Sequence, residues 1–186
     1  MKPVETEDVG RAVFSTAIGA CGVAWTEAGL CGFALPTVAA DYFRECVGEG
    51  GAALAKCRSG GMRPAWIEAL IARVVRHLDG VAQDFAGERY DFSRVTAFQR
   101  EVYEAALRVK AGETRTYGWL AEQTGRGMVA SRAVGGALGQ NPWPLLVPCH
   151  RFIGANGKMT GFSAPGGLVT KRKLLALEGA ELIAEG

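Results

Sequence analysis

The sequence predicts an α+β protein. An antiparallel β-sheet with helices fills the N-terminal part, and a mostly helical C-terminal part holds a helix-turn-helix. Three observations carry this. Short β-prone runs separated by turn residues occupy the first 35 positions. Apolar residues at helical spacing dominate from Pro64 onward. Two short helical stretches flank Gly125-Arg126-Gly127.

Residues 11–17 and 21–26 read as short strands, Glu27-Ala28-Gly29 as a turn, and residues 30–35 as a third strand ended by Pro36. Together they predict an antiparallel meander. A short helix over 38–46 and a Gly-rich loop over 48–61 follow. Pro64 opens a strong helix, in which Trp66, Ile67, Leu70, Ile71, Val74, Val75 and Leu78 recur at helical spacing before Gly80. His77 lies on that helix and is expected to be a structural or surface residue. Arg89-Tyr90-Asp91-Phe92 reads as a further strand. Phe98, Val102, Ala105, Ala106 and Val109 mark an amphipathic helix closed by Ala111-Gly112. Helices over 117–124 and 128–139 form the helix-turn-helix, a pattern that also fits helical pairs binding nothing. A last helix over 168–178 carries Leu174, Leu175 and Leu177.

The 186 residues suit one domain or two small ones, with 48% apolar and 22% charged side chains. The net charge of +2 does not by itself mark a nucleic-acid binder. It is unevenly spread. Residues 114–173 carry eight basic side chains and one acid, Glu122. That stretch suits either an anionic partner or a solvated basic face. Only two histidines are present, His77 and His150, which excludes a multi-His metal site. The five cysteines are odd in number and form no CxxC pair, so a disulfide framework is not expected and a cytoplasmic setting is. Cys21, Cys31, Cys46 and Cys57 are expected to pack as small hydrophobes rather than to bind zinc. No apolar signal core opens the chain, and no apolar run is long enough to span a bilayer.

Chemistry concentrates in Asn141-Pro142-Trp143-Pro144-Leu145-Leu146-Val147-Pro148-Cys149-His150-Arg151. Three prolines predict a rigid, extended approach to one thiol. A thiolate is the nucleophile, and nearby His or Arg lowers the thiol pKa. The alternative is a buried structural cysteine beside a core histidine. A carboxylate orienting the imidazole would complete a Cys-His-acid set. Glu178 is the acid embedded in the apolar run Leu174-Leu175-Ala176-Leu177-Glu178-Gly179.

Pro148-Cys149-His150-Arg151, preceded by Arg132-Ala133-Val134-Gly135-Gly136-Ala137 and Asn141-Pro142, closely resembles the O6-alkylguanine-DNA alkyltransferases. Phe98-Gln99-Arg100, the run from Gly112 to Gly118 and the run from Leu174 to Gly179 agree. The resemblance is dense over 95–180 and looser over the N-terminal third. It implies a ribonuclease H-like β-rich domain over 1–92. It also implies a helix-turn-helix DNA-binding and alkyl-acceptor domain over 93–186.

The resemblance further implies repair of O6-alkylguanine, and less readily O4-alkylthymine, by a single irreversible transfer onto Cys149. No cofactor or metal is expected, because the nucleophile is also the acceptor. His150 would act as base through a water, with Glu178 holding it. Asn141 would fix the turn before an active-site strand. Arg132 would fill the stack vacated by a flipped base, with Ala130, Ser131, Ala133 and Arg151 on the DNA. The helix bearing Arg132 would enter the minor groove, which carries little base-specific information. Tyr117 would donate its hydroxyl to the flipped base, and Leu138, Phe152 and Ser163 would complete the lesion pocket. Phe152 stands where a smaller β-branched residue is common, which bears on pocket width.

The partner would be duplex DNA containing O6-alkylguanine, met by a monomer without a membrane. The leading alternative is a non-catalytic relative that binds alkylated bases, although such relatives replace the acceptor cysteine. A DNA-binding regulator would not need Pro-Cys-His-Arg. A Cys-His hydrolase would turn over and need an oxyanion hole.

Overall fold

The structure is a computed structural model that describes residues 9–36, 63–164 and 166–180. The helix expected over 38–46, the loop over 48–61, Cys46 and Cys57 lie outside the described residues. Strands β1 (Gly10–Thr16), β2 (Gly19–Trp25) and β3 (Leu30–Ala34) form an antiparallel sheet in that order. Thr16 pairs with Gly19, so β2 starts two residues earlier than its sequence pattern indicates. The reason is a two-residue hairpin. Thr16 Oγ1 donates to the Gly19 carbonyl at 2.6 Å and accepts from Ile18 N at 3.3 Å. Gly19 takes φ +124°, a conformation that disfavours any side chain.

Helix α1 (Ala65–Leu78) packs its buried stripe Ile67, Leu70, Val74 and Leu78 on the sheet face that carries Cys21, Val23, Leu30 and Phe33. Pro64 precedes its first turn, where the missing N–H is harmless. The strand expected over 89–92 is reduced to one bridge, Leu30 to Tyr90. Asp91 then accepts from Ser93 N at 3.0 Å and turns the chain into a 3-10 segment, Phe92–Arg94.

Helix α2 (Ala97–Ala106) opens with a capping box between Thr96 and Gln99. It stops three residues short of Val109, which is buried in the turn that follows. Strand β4 (Arg115–Thr116) leads into α3 (Tyr117–Gln123) and pairs in parallel with β5 (Phe152–Ile153). The second helix of the pair splits into a 3-10 turn, Met128–Ala130, and α4 (Ser131–Gly139). Gly125 and Gly127, at φ +72° and +68°, make the tight link. The last helix, α5 (Gly167–Leu177), buries Lys171, Leu174 and Leu175.

One hydrophobic cluster joins the sheet, α1, α2, α4 and α5 across position 92. Among the described residues, no helix is long and apolar enough to cross a membrane.

Candidate active site

The segment before Cys149 is not extended. It doubles back: Val147 N donates to the Trp143 carbonyl at 2.8 Å, and Leu145 takes φ +79°. Leu145 is the sole non-glycine with positive φ among the described residues. Trp143, Leu145, Leu146 and Val147 are all buried, which explains the fold-back: four large apolar side chains reach the core from one short loop. Trp143 Nε1 donates to the Leu30 carbonyl at 2.9 Å and pins the loop to the sheet. Asn141 closes the loop from both ends. Its Nδ2 donates to the Val147 carbonyl and its Oδ1 accepts from Trp143 N, each at 2.9 Å. Cys149 therefore sits on a 3-10 turn, Cys149–Arg151, rather than on a strand.

Glu178 caps the C-terminal end of α5 and collects the residues behind the thiol. Its Oε1 accepts from His150 Nε2 at 2.9 Å, from His77 Nε2 at 3.0 Å and from Arg151 Nη2 at 2.7 Å. Its Oε2 accepts from Arg151 Nε at 2.9 Å. With Nε2 donating, His150 carries its lone pair on Nδ1, which is buried with no protein partner. Burial pushes the Glu178 carboxyl up, but the hydrogen bonds from His150, His77 and Arg151 outweigh it and hold the group well below the usual carboxylate range. Burial also lowers the His150 pKa against the pull of Glu178, which keeps the imidazole neutral. Burial raises the Cys149 thiol pKa, while the Asn141 side chain and the Lys171 charge oppose it. The arrangement puts a thiol at rest and a neutral base on consecutive residues of one turn, with a fixed carboxylate behind that base.

One expectation about this network is corrected, and one is extended. Arg151 is not on a DNA-facing surface: it is 6% exposed and spends its guanidinium on Glu178 and the Val109 carbonyl. Its planar fork matches a carboxylate and a carbonyl together, which a buried cation requires. His77 is structural in the sense expected, yet it belongs to the site. Its role was hidden because Glu178 lies 101 residues away in sequence.

Cys149 opens into a cleft of about 890 Å³ lined by Tyr117, Ser131, Arg132, Leu138, Thr160 and Ser163, among others. These come from α3, α4 and the loop before α5, which the parallel β4–β5 pair holds together. Tyr117 donates its hydroxyl to the Thr160 carbonyl at 2.9 Å. Burial and the nearby Cys149 raise its pKa, so it stays protonated. Phe152 does not line the cleft. Its side chain is fully buried, with its ring 6.4 Å from that of Tyr117. Arg132 and Ala133 are exposed on α4, whereas Ser131 and Ala130 are half-buried. A Cβ placed on Gly136 or Gly139 would meet no atom within 4 Å, so nothing inside the protein requires glycine there.

Sequence reasoning counted Lys171 only as part of a basic stretch. It is fully buried, donates to the Phe152 and Thr160 carbonyls, and stands 5.7 Å above the Tyr117 ring. The signal was present. Lys171, Leu174, Leu175 and Glu178 follow the spacing of one helical face, and that face is the buried one.

A model of the family described as 6-O-methylguanine DNA methyltransferase, DNA binding domain, matches residues 97–180. The Mycobacterium tuberculosis methylated-DNA–protein-cysteine methyltransferase is 50% identical over 99 residues, covering 50% of this chain and 58% of that protein. The chain therefore spans a little over half the length of that curated relative. The Mycobacterium leprae protein of the same name is 43% identical over 123 residues, covering 62% of this chain and 71% of its own length. Among solved structures, Mycobacterium tuberculosis O6-methylguanine methyltransferase superposes with TM-score 0.68 at 30% identity, over 95% of this chain and 96% of that one. A Mycobacterium tuberculosis structure in complex with DNA gives TM-score 0.63 at 32% identity, over 91% and 92% of the two chains.

Proposed function

Because this chain belongs to the 6-O-methylguanine DNA methyltransferase family, we propose that it repairs duplex DNA by moving the alkyl group of O6-alkylguanine, and less readily O4-alkylthymine, onto its own Cys149. The observation that carries this reading is Cys149 at the cleft, followed in the chain by a His150 whose Nδ1 has no protein partner and whose Nε2 is held by Glu178. Thiol, base and carboxylate are the parts an alkyl transfer to sulfur needs.

In this reading the thiol proton passes through a water to His150 Nδ1, and Glu178 stabilises the imidazolium. Sγ attacks the alkyl carbon, the carbon–O6 bond breaks, and the electron pair leaves with the guanine. Tyr117 exchanges its bond to Thr160 for one to the base and gives it a proton, so the guanine departs neutral, and the imidazolium returns the thiol proton through solvent to the phenolate. A thioether remains, so each molecule acts once, and no cofactor takes part.

The target base must leave the duplex stack to enter the cleft. Arg132, exposed at the cleft rim on α4, takes its place. Ala130, Ser131 and Ala133 bring the helix close to the minor groove. The open surroundings of Gly136 and Gly139 support that approach, since glycine in a helix is about 1 kcal/mol worse than alanine unless something needs the space. Leu138 and Ser163 flank the base, and the protein works as a cytoplasmic monomer with residues 1–92 and 93–186 as its two parts. The test is an intact mass and peptide map after incubation with a duplex carrying one O6-methylguanine. One added methyl group on Cys149, with stoichiometric loss of the lesion, is expected. No mass gain, or several turnovers per molecule, would overturn the reading, and lesion binding without methyl gain would point to a non-catalytic binder.

A further inference from the structure

Within the Glu178 network one residue comes from the other half of the chain. His77 stands near the end of α1 and is 2% exposed. Its Nδ1 accepts the Gln83 N–H at 3.1 Å, so the neutral ring carries its proton on Nε2 and donates it to Glu178 Oε1 at 3.0 Å. Phe85 closes the ring edge-on, with centroids 5.4 Å apart. Both nitrogens are thus committed in a single tautomer, inside a helix stripe that is otherwise apolar. A buried polar group in such a stripe is unfavourable unless fully bonded, and here the bonding is complete.

We propose that His77 is a positioning residue for the alkyl transfer, through which the N-terminal half sets the orientation and proton affinity of the Glu178–His150 pair. The proposal rests on the reading of Cys149 as alkyl acceptor. Glu178 Oε1 accepts from His77, His150 and Arg151 at once. Each donor draws charge from that oxygen. Without His77 the carboxylate would hold the His150 Nε2 proton more tightly, and Nδ1 would become more basic. Protonated His150 cannot take the thiol proton, so the reaction would switch off at a higher pH than in the intact protein.

The charged and titratable groups around this network bear on any such shift. Arg73 comes from α1, and Asp84, Glu88 and Tyr90 from the chain after it. Lys110 pairs with Asp84 at 2.6 Å from the turn after α2. Arg151 and Cys149 come from the 3-10 turn, and Lys171 from α5. His77→Gln and His77→Asn both keep all of these side chains and both remove the imidazole, so a difference between the two variants in the titration of His150 reports the lost donor.

The experiment compares the full chain with His77→Gln and His77→Asn. The Gln amide reaches the Nε2 position, and the Asn amide is one carbon too short. Single-turnover methyl transfer from an O6-methylguanine duplex is followed from pH 5.5 to 9, and the His150 ring is titrated by ¹⁵N NMR without DNA. His77→Asn is expected to move the acidic limb and the His150 titration upward by about one pH unit, the scale of one lost hydrogen bond to a charge. His77→Gln is expected to stay with the unaltered protein. Superimposed profiles for His77→Asn and the unaltered protein, or equal shifts in both variants, would overturn the proposal. If the unaltered protein transfers no methyl group, the Cys149 reading falls, and the NMR titration still decides whether His77 tunes His150.

Discussion

Lys171 donates from a fully buried position to the carbonyl of Phe152, three residues beyond Cys149. The same ammonium reaches the Thr160 carbonyl at 3.3 Å, the oxygen that also accepts from the Tyr117 hydroxyl. One cation thus ties the turn after Cys149 to the loop that walls the cleft. Burial lowers its pKa from an ordinary 10.5 to about 8, and charge on Cys149 raises it. Lys171→Met should slow single-turnover transfer by about tenfold for each 1.4 kcal/mol of lost thiolate stabilisation. It should also raise the pH at which Cys149 becomes alkylated by iodoacetamide. The sign on stability is also set. Between pH 8 and the ordinary lysine value the unfolded chain holds the extra proton, so the intact protein should gain stability relative to Lys171→Met as pH rises through that window. Urea midpoints of both forms at pH 7 and 9.5 measure it, and an unchanged difference would refute the lowered Lys171 pKa.

Glu178 gives the opposite pH signature. Its folded pKa is held down by His150, His77 and Arg151, so its contribution is complete above the unfolded value of about 4.3 and is lost as pH falls below it. Glu178→Gln should cost about 3–5 kcal/mol at pH 7, because it strands the Arg151 charge in the interior. The gap between the two proteins should narrow in acid. Denaturant melts at pH 7 and pH 4 test this, and a gap independent of pH would show that the carboxylate is not ionised in the fold.

The exposed Arg132 and the buried Arg151 should separate cleanly. Arg151→Ala should lower stability by about 3 kcal/mol or more, by leaving buried Glu178 short of donors. Arg132→Ala should leave stability within about 0.5 kcal/mol, as for other exposed changes. It should nonetheless impair transfer from duplex DNA while sparing transfer from free O6-benzylguanine. Thermal melts and two-substrate kinetics decide. Equal loss on both substrates would remove Arg132 from base extrusion.

Gly136 tests how closely α4 would approach DNA. Gly136→Ala should stabilise the protein by about 0.5–1 kcal/mol, since its Cβ enters open space on a helix. Gly136→Leu should fold equally well yet weaken binding to duplex DNA. Titration of a fluorescent duplex at fixed salt measures this. Unchanged affinity for Gly136→Leu would place DNA elsewhere.

Much of the fold was legible in the sequence, for local reasons. The meander, α1, α2 and the helix pair follow from apolar periodicity, Pro64, the Thr96–Gln99 box and the turn glycines. The segment 141–148 was misread because proline suggests extension, whereas Trp143, Leu145, Leu146 and Val147 all seek the core and force a reversal. The strand at 89–92 failed because Asp91 captures the Ser93 N–H and turns the chain.

By itself the sequence determined the fold class and singled out a candidate thiol and its candidate acid, because those rest on residue type and short-range order. Only the tertiary structure decided that Arg151 and Lys171 are interior cations, and that His77 joins His150 on one carboxylate oxygen. Charge counts see residues without their depth, and depth decides whether a cation meets water or must find a carbonyl or carboxylate. The Glu178 network assembles α1, the Cys149 turn and the end of α5 around a shared core. Its partners are near in space because burying the intervening apolar surface brings them there, and no spacing along the chain records that.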